Sequence, residues 1–175
     1  MDIEFAVFQT EIGWIGIVGT EKGIVRSTLP LTDKESVLNL LTGIYGHKIE
    51  LFKRSYFSDA IEMFKRYFKG RNVDFSLPID FNGYTNFQIR IWEITKTIPY
   101  GELRSYKWVA HKIGNSKSAR AVGQALASNP IPIIIPCHRV IASNGNLRGF
   151  TGGLELKEKL IKLEKGIFKN NGLTI

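Results

Sequence analysis

The chain has 175 residues, of which 43% are hydrophobic and 23% charged, as is ordinary for a globular protein with a buried core. No apolar stretch is long enough for a transmembrane helix, and Met1-Asp2-Ile3-Glu4 lacks the basic and apolar regions of a signal peptide. The single cysteine excludes an intramolecular disulfide and a cysteine cluster for zinc. We therefore expect a cytoplasmic protein, or a nuclear one in a eukaryote, with no membrane partner.

The formal net charge of +8 is unevenly distributed along the chain. Residues 1–83 contain 10 Lys and Arg against 11 Asp and Glu, whereas residues 84–166 contain 13 against 5. A basic half beside a near-neutral half suits a polyanion such as nucleic acid. Lysines that only keep helix faces solvated would give the same counts, so charge alone leaves both interpretations open.

The first part of the chain predicts a β-meander followed by two helices, in an α/β domain over residues 1–77. Three short runs of strand-forming residues are separated by turns with glycine, at residues 5–8, 14–18 and 24–29. Asp33 is placed to cap a helix that runs to about Tyr45. The second helix has one apolar face, formed by Phe57, Ile61, Phe64 and Phe68. Residues 78–85 are predicted to be a linker.

The second domain, over residues 86–175, is predicted to consist of short helices. Thr85 or Asn86 can cap the first of them, whose apolar residues are Phe87, Ile91, Trp92 and Ile94. Ser105 and Ser116 can cap two more, and the Gly114-Asn115 turn between them gives a helix-turn-helix pattern. Their predicted inward faces are Tyr106, Val109, Ala110 and Ile113, then Ala119, Val122, Gly123 and Leu126. Many helical hairpins of this kind bind nothing, so the pattern alone does not establish DNA binding.

The third of these helices, predicted from Lys117 to about Ser128, is built largely from alanine and glycine. A helix with such small side chains can approach another surface closely, as a narrow groove would require. Arg120 projects from it. For Arg120 the alternative is an ordinary solvated charge.

Cys137 is the residue with the clearest chemical potential. It follows an apolar run at residues 131–135, which predicts a buried strand or strand-like segment, and it is followed by His138 and Arg139. A thiol is nucleophilic as the thiolate, and cationic neighbours or a paired base lower its pKa. Taken alone, a lone cysteine after an apolar run is more often a small core residue, and it is the rest of the chain that favours the chemical interpretation.

The last predicted helix runs from about Leu154 to Gly166. At the helical angle per residue, its apolar residues fall within an arc of about 60°: Leu156, Leu160, Leu163 and Ile167. Glu164 lies about 40° beyond this arc, at the edge of the buried stripe. A partly buried carboxylate needs a partner, and a histidine is a natural one.

Together these motifs resemble the O6-alkylguanine-DNA alkyltransferases, also called methylated-DNA–protein-cysteine methyltransferases. The resemblance covers about residues 85–166 and rests on Ser105-Tyr106, Ala119–Gly123, Asn129-Pro130, Pro136–Ile141, Gly152–Leu154 and Lys157–Glu164. It implies a ribonuclease-H-like N-terminal domain, with a small antiparallel sheet and helices, and a mainly α, winged-helix-like C-terminal domain with a helix-turn-helix.

The resemblance also implies an activity that needs no cofactor and no metal. A monomer would bind double-stranded DNA through the minor groove and flip the damaged guanine out of the stack. The alkyl group of O6-alkylguanine, with O4-alkylthymine as a further candidate lesion, would pass irreversibly to the cysteine. Each molecule would act once.

Residue roles follow from the resemblance alone. Cys137 corresponds to the alkyl acceptor, His138 to the base that takes its proton through a water, and Glu164 to the carboxylate that orients the histidine. Asn129 corresponds to a residue that bridges the helix-turn-helix and the cysteine segment. Tyr106 corresponds to the hydroxyl that donates to guanine N3.

The resemblance places the substrate pocket at Pro132, Val140, Phe150 and Thr151. The carbonyl of Val140 would read the guanine amino group, and Thr151 would belong to the loop at O6. Arg120 would fill the space of the flipped base, and the DNA surface would further include Ser105, Tyr106, Ala119 and Gly123. Phe150 stands where many members have tyrosine, and Arg148 where some have glycine.

Three other functions fit part of the sequence. A non-catalytic alkylated-DNA-binding protein of this fold usually has tryptophan at the acceptor position, so Cys137 argues against it. A helix-turn-helix regulator that only binds DNA leaves Cys137, His138 and Glu164 without a role. A Cys-His hydrolase predicts repeated turnover of an acyl substrate, which one progress curve would detect.

Overall fold

A computed structural model describes residues 3–46, 50–51 and 55–167. The described chain forms two compact units, one ending at Phe81 and the other beginning at Asn82. The C-terminal domain predicted to extend to residue 175 therefore lies partly outside the described residues. Within the described part, no helix is long and apolar enough to span a membrane.

The first unit contains a four-stranded sheet with two helices. Its elements are β1 (Glu4–Thr10), β2 (Gly13–Thr20), β3 (Gly23–Ser27), α1 (Lys34–Tyr45), β4 (Glu50–Leu51) and α2 (Ser55–Phe68). The strand order is β3-β2-β1-β4, with β1, β2 and β3 antiparallel and β4 parallel to β1. The predicted meander is confirmed; both turns are shorter than predicted, the first two strands are longer, and the third ends two residues earlier, at Ser27. The parallel edge strand was not predicted, because two residues carry no readable pattern.

Local signals account for both helices of this unit. The Asp33 side chain accepts a hydrogen bond from the Ser36 amide at 2.7 Å, which confirms the predicted cap of α1. Gly16 of β2 lets this helix pack closely, because a Cβ there would lie 2.6 Å from a methyl group of Val37. On α2 the phenylalanines of the predicted face are fully buried, while Ile61 is only half-buried and Tyr67 is buried in its place.

The second unit is mainly helical, as predicted. It contains α3 (Asn86–Lys96), β5 (Arg104–Ser105), α4 (Tyr106–Lys112), α5 (Ala119–Ala127), a 3₁₀ helix (Cys137–Arg139), β6 (Val140–Ile141) and α6 (Gly153–Glu164). Thr85 caps α3 in a reciprocal capping box with Gln88. The buried indole of Trp92 donates to the Ala125 carbonyl at 2.8 Å and so joins α3 to α5. Phe87, although it belongs to α3, is 42% exposed.

The predicted start of one helix and the predicted end of another are wrong. The helix expected to begin after Ser116 begins at Ala119, because Asn115 organises a turn in front of it. The Asn115 side chain accepts from the Lys117 amide at 3.2 Å, and its carbonyl accepts from the Ser118 hydroxyl at 2.6 Å. The last helix ends at Glu164 and not at Gly166, which leaves Ile167 66% exposed and outside the apolar stripe.

The apolar run before Cys137 is buried but is not a strand. Residues 131–135 form a compact turn, closed by a hydrogen bond from the Ile135 amide to the Ile131 carbonyl at 2.9 Å. At its centre Ile133 has φ 76°, a left-handed conformation that is strained for a β-branched residue. A run of isoleucines favours strands by propensity. Tertiary contacts around the turn override that propensity here.

Candidate active site

Cys137 begins the 3₁₀ helix and is 7% exposed. The side-chain amide of Asn129 donates to its sulfur at 3.2 Å and to the Ile135 carbonyl at 2.9 Å, while the Asn129 oxygen accepts from the Ile131 amide at 2.9 Å. One side chain just after α5 thus holds both the strained turn and the thiol.

Burial raises the pKa of the Cys137 thiol, and the Asn129 hydrogen bond and the Lys157 charge only partly offset it. Burial therefore works against the thiolate form at this site. The sequence pattern predicted neighbours that lower the pKa of this thiol, and the structure adds desolvation, which opposes them.

His138 is completely buried, and its Nε2 lies 2.7 Å from Oε1 of Glu164. Burial lowers the pKa of His138 against the opposing effect of Glu164, so the imidazole is neutral. Because Nε2 carries the proton that the carboxylate accepts, Nδ1 is the nitrogen left to act as a base. The helical angles predicted Glu164 at the edge of the buried stripe, and the contact with His138 is the one expected there.

Arg139 also binds this carboxylate, and the sequence reasoning did not foresee it. Its Nε donates to Oε2 of Glu164 at 2.9 Å and its Nη2 to Oε1 at 3.0 Å, while Nη1 donates to the Ile98 carbonyl at 2.6 Å. The Gly101 amide adds a bond to Oε2 at 2.9 Å. Burial alone would raise the pKa of Glu164, but His138 and Arg139 outweigh it and lower the pKa to about 2. The carboxylate is thus ionised at any physiological pH.

Lys157 is a second residue that the sequence reasoning did not assign. Its side chain is fully buried, and its Nζ donates to the Val140 carbonyl at 2.6 Å and to the Arg148 carbonyl at 2.7 Å. Burial lowers its pKa to about 8, against the effect of Cys137. Residues that are seven positions apart in a helix project in nearly the same direction. Lys157 therefore lies on the same side of α6 as Glu164, and the helical angles could have predicted it.

Of the predicted pocket residues, Val140 is linked to Tyr106 and Lys157 by hydrogen bonds; the others are Pro132, Phe150 and Thr151. Tyr106, Val140 and the loop before α6 come together, because the Tyr106 hydroxyl donates to the Arg148 carbonyl at 2.8 Å and Lys157 joins that carbonyl to Val140. Burial raises the pKa of Tyr106, with Cys137 adding to the effect. Pro132 is buried in the turn before Cys137, and Phe150 is half-buried. Thr151 is exposed, and its hydroxyl donates to the Ala127 carbonyl at 3.2 Å.

The predicted DNA-contacting residues lie on α4 and α5 or at their ends. Arg120 is exposed on α5. Ser105 caps α4 by accepting from the Trp108 amide at 3.0 Å. A side chain at Gly123 would point toward the Tyr106 ring, 3.8 Å away, so this glycine also serves the packing of α5 on α4. Ala119 opens the helix and is half-buried.

Within residues 3–46, 50–51 and 55–167, no three His, Cys, Asp or Glu side chains are grouped so that they could hold a metal ion. The groups around Cys137 are a histidine, a carboxylate and two cationic side chains.

Two family models match successive parts of the chain. Residues 86–166 match the family model of the 6-O-methylguanine DNA methyltransferase DNA binding domain, and residues 3–81 match that of the 6-O-methylguanine DNA methyltransferase ribonuclease-like domain. The methylated-DNA--protein-cysteine methyltransferase of Methanosarcina acetivorans is 39% identical over 91% of this chain and 97% of its own.

Solved structures agree with the sequence matches. The Mycobacterium tuberculosis O6-methylguanine methyltransferase superposes with a TM-score of 0.76 at 35% identity, covering 97% of this chain and 96% of that one. The M. tuberculosis OGT in complex with DNA superposes with a TM-score of 0.77 at 35% identity, covering 93% of each chain. Both units of the chain thus have counterparts in proteins of one kind.

Proposed function

Because the chain belongs to the family of 6-O-methylguanine DNA methyltransferases, we propose that it repairs alkylated DNA by moving the alkyl group of O6-alkylguanine to its own Cys137. The observation that carries this proposal is the buried Cys137 thiol beside the hydrogen-bonded pair of His138 and Glu164. An acceptor thiol and a base oriented by a carboxylate are what transfer to sulfur requires.

The proposed transfer begins with the thiol proton. We propose that His138 takes it at Nδ1 through a water, while Glu164 holds the other ring nitrogen and balances the positive charge that develops on the imidazole. The sulfur then forms a bond to the alkyl carbon as the bond from that carbon to guanine O6 breaks. The departing guanine anion takes up one proton, which balances the one that the thiol gave to His138, so the net products are a thioether, an unmodified base and a neutral imidazole.

Tyr106 and Lys157 are proposed to stabilise the departing guanine. A phenol that donates to guanine N3 stabilises the charge that the base gains as it leaves. In the structure the Tyr106 hydroxyl donates to the Arg148 carbonyl, so we propose that it exchanges this partner for the base. The Lys157 ammonium, 5.7 Å from the Tyr106 ring centre, lowers the cost of that negative charge.

Helices α4 and α5 are proposed to bind duplex DNA through the minor groove. The small side chains of α5 allow close approach, and the basic second unit supplies the phosphate contacts. Arg120, exposed on α5, is placed to fill the gap that a flipped guanine leaves. The thioether is stable, so we propose one repair event per molecule, carried out by a monomer.

Mass spectrometry after incubation with DNA containing O6-methylguanine tests the proposal. We expect a gain of one methyl group, about 14 Da, on Cys137, with repair ending at one lesion per protein molecule. Cys137→Ala should bind the same DNA and gain no methyl group. Continued turnover, or methylation of another residue, would reject the proposal and favour a hydrolase or a DNA-binding protein without transfer activity.

A further inference from the structure

The turn between α3 and β5 contacts two of the charged groups of the site. The Ile98 carbonyl accepts from Nη1 of Arg139 at 2.6 Å, and the Tyr100 ring centre lies 5.7 Å from the guanidinium carbon of the same arginine. The Gly101 amide donates to Oε2 of Glu164 at 2.9 Å. One short stretch of backbone therefore holds both the arginine and the carboxylate that it binds.

The Gly101 amide binds the second oxygen of the carboxylate that contacts His138. Oε1 of Glu164 lies 2.7 Å from Nε2 of His138, whereas Oε2 accepts from the Gly101 amide. The terminal torsion of a glutamate is soft, so the donors that hold its oxygens determine the direction in which the carboxylate points. Because a backbone amide has no rotamers of its own, this donor fixes Oε2 and with it the direction of Oε1.

The position of this amide depends on residue 101 being glycine. Gly101 has φ 78°, a conformation that residues with a Cβ rarely adopt. A Cβ at this position would lie 3.2 Å from the backbone carbonyl oxygen of Glu164, which is closer than ordinary van der Waals contact. A larger residue therefore strains the turn or moves it away from the end of α6, and either change displaces the amide from the carboxylate.

The same segment leads into the helix that is proposed to bind DNA. Strand β5 pairs with β6, which directly follows the 3₁₀ helix of Cys137, and Tyr106 begins α4. The donor to the carboxylate and the phenol that is proposed to contact guanine are therefore joined by a few residues of paired backbone.

Resting on the proposed function, we infer that Gly101 is a positioning residue for transfer to Cys137, because its amide directs the Glu164 carboxylate at His138. In this assignment Gly101 touches neither the lesion nor the sulfur. It acts through the orientation of Glu164, which stabilises the positive charge that His138 gains when it takes the thiol proton.

The pH profile of Cys137 alkylation tests this inference without DNA. The chain has one cysteine, so the rate of its reaction with iodoacetamide follows Cys137. In Gly101→Ala the misaligned carboxylate stabilises the imidazolium less, so the thiol loses its proton less readily and the profile should move to higher pH. The rate at pH 7 should fall on the order of 10-fold, and single-turnover repair of DNA containing O6-methylguanine should slow by a similar factor.

Two further glycine variants serve as controls. Gly83 has φ 86° and open space around the position of a Cβ, so Gly83→Ala introduces the same backbone strain away from the site and should keep the wild-type profile. Gly101→Asn should recover part of the loss seen in Gly101→Ala, because asparagine adopts the left-handed conformation more readily than alanine.

A double variant distinguishes positioning from a purely structural role. Glu164→Gln removes the charge that Gly101 is inferred to direct, so Gly101→Ala should have much less effect on the profile in that background than in the wild type. Effects that simply add would overturn the inference. So would a Gly101→Ala protein that is destabilised like Gly83→Ala but reacts with the wild-type pH profile.

NMR of the wild type decides the matter if Gly101→Ala does not fold. The amide proton of Gly101 should shift upfield in Glu164→Gln, because a neutral acceptor replaces the carboxylate, while that of Gly83 stays in place; an unchanged Gly101 signal would overturn the inference. If the wild type never acquires a methyl group on Cys137 but the alkylation profile and the amide signal change as expected, Gly101 still directs Glu164 and the proposed function fails.

Discussion

Each chemical group of the site is buried beside a group that compensates it. Glu164 is ionised because it accepts from His138, Arg139 and Gly101, and Asn129 holds the sulfur of Cys137. A buried charge without a partner would cost several kcal/mol. Burial raises the pKa of Cys137 and lowers that of His138, and the neighbouring charges partly offset both shifts.

We predict that the positive charge of Lys157 accelerates repair. Lys157→Met keeps most of the volume but removes the positive charge near Cys137 and the donor to the Val140 and Arg148 carbonyls. Losing a cation that stabilises the negative charge of the departing guanine should lower the single-turnover repair rate at pH 7 roughly 10- to 100-fold.

The pH dependence identifies the charge as the cause. The pKa of Lys157 is about 8, so the wild type itself loses this charge at higher pH. The difference in repair rate between the wild type and Lys157→Met should therefore narrow above pH 8. Lys159→Met, which removes a pair with Glu155 on the surface of α6, should repair at the wild-type rate. If the ratio of the two repair rates stays constant from pH 7 to 10, Lys157 contributes through packing and not through its charge.

Among the elements, α5 combines the structural and the proposed DNA-binding roles. Val122, Ala125 and Leu126 are buried on one side of it, and the Ala125 carbonyl is bound to Trp92. Arg120 is exposed. The helix can therefore present one long side chain without disturbing its own packing.

We expect Arg120→Ala to slow repair of duplex DNA without affecting the chemistry. Extruding a base costs a few kcal/mol of stacking and pairing, so losing the residue that fills the gap should slow duplex repair on the order of 10- to 100-fold. Reaction with free O6-methylguanine base should proceed at the wild-type rate. Lys117→Ala, on the exposed turn before α5, serves as the control. An equal loss on both substrates would assign Arg120 to the pocket.

At the scale of the whole molecule, the contacts of Glu164 with His138 and Arg139 make the free energy of unfolding depend on pH. The pKa of this carboxyl is about 2 in the folded protein against a usual value of 4.5. Its stabilising contribution is complete above pH 4.5 and is lost as the pH falls from 4.5 toward 2, in total roughly 3 kcal/mol. His138, whose pKa is lowered, acts in the same direction, because the unfolded chain binds its proton first.

Urea unfolding followed by tryptophan fluorescence from pH 7 to 2 measures this contribution. Trp92 and Trp108 report on the second unit and Trp14 on the first, so Trp14→Phe isolates the signal. Glu164→Gln should be less stable than the parent at neutral pH, and the difference should shrink below pH 4.5. Glu155→Gln, at an exposed carboxylate, should keep the acid dependence of the parent. A Glu164→Gln protein with that same dependence would place the acid-sensitive group elsewhere.

Much of this protein was determined by local sequence. The caps at Asp33 and Ser105, the meander and the mainly helical second unit were predicted correctly, because hydrogen bonds within a few residues and a repeated pattern specify them. Thr85 was one of two candidates for the cap of α3. The family was also identified correctly from motifs around Cys137.

Only the tertiary structure decided the turn at Ile133, the direction in which the pKa of Cys137 is shifted and the contacts of Arg139 and Lys157. Arg139 and Glu164 are 25 residues apart in sequence, and the contact between them exists only once α6 packs against the 3₁₀ helix. Burial and the sum of several charges then set each proton equilibrium. No local pattern encodes that sum, because it depends on which distant groups folding brings to the same few ångströms.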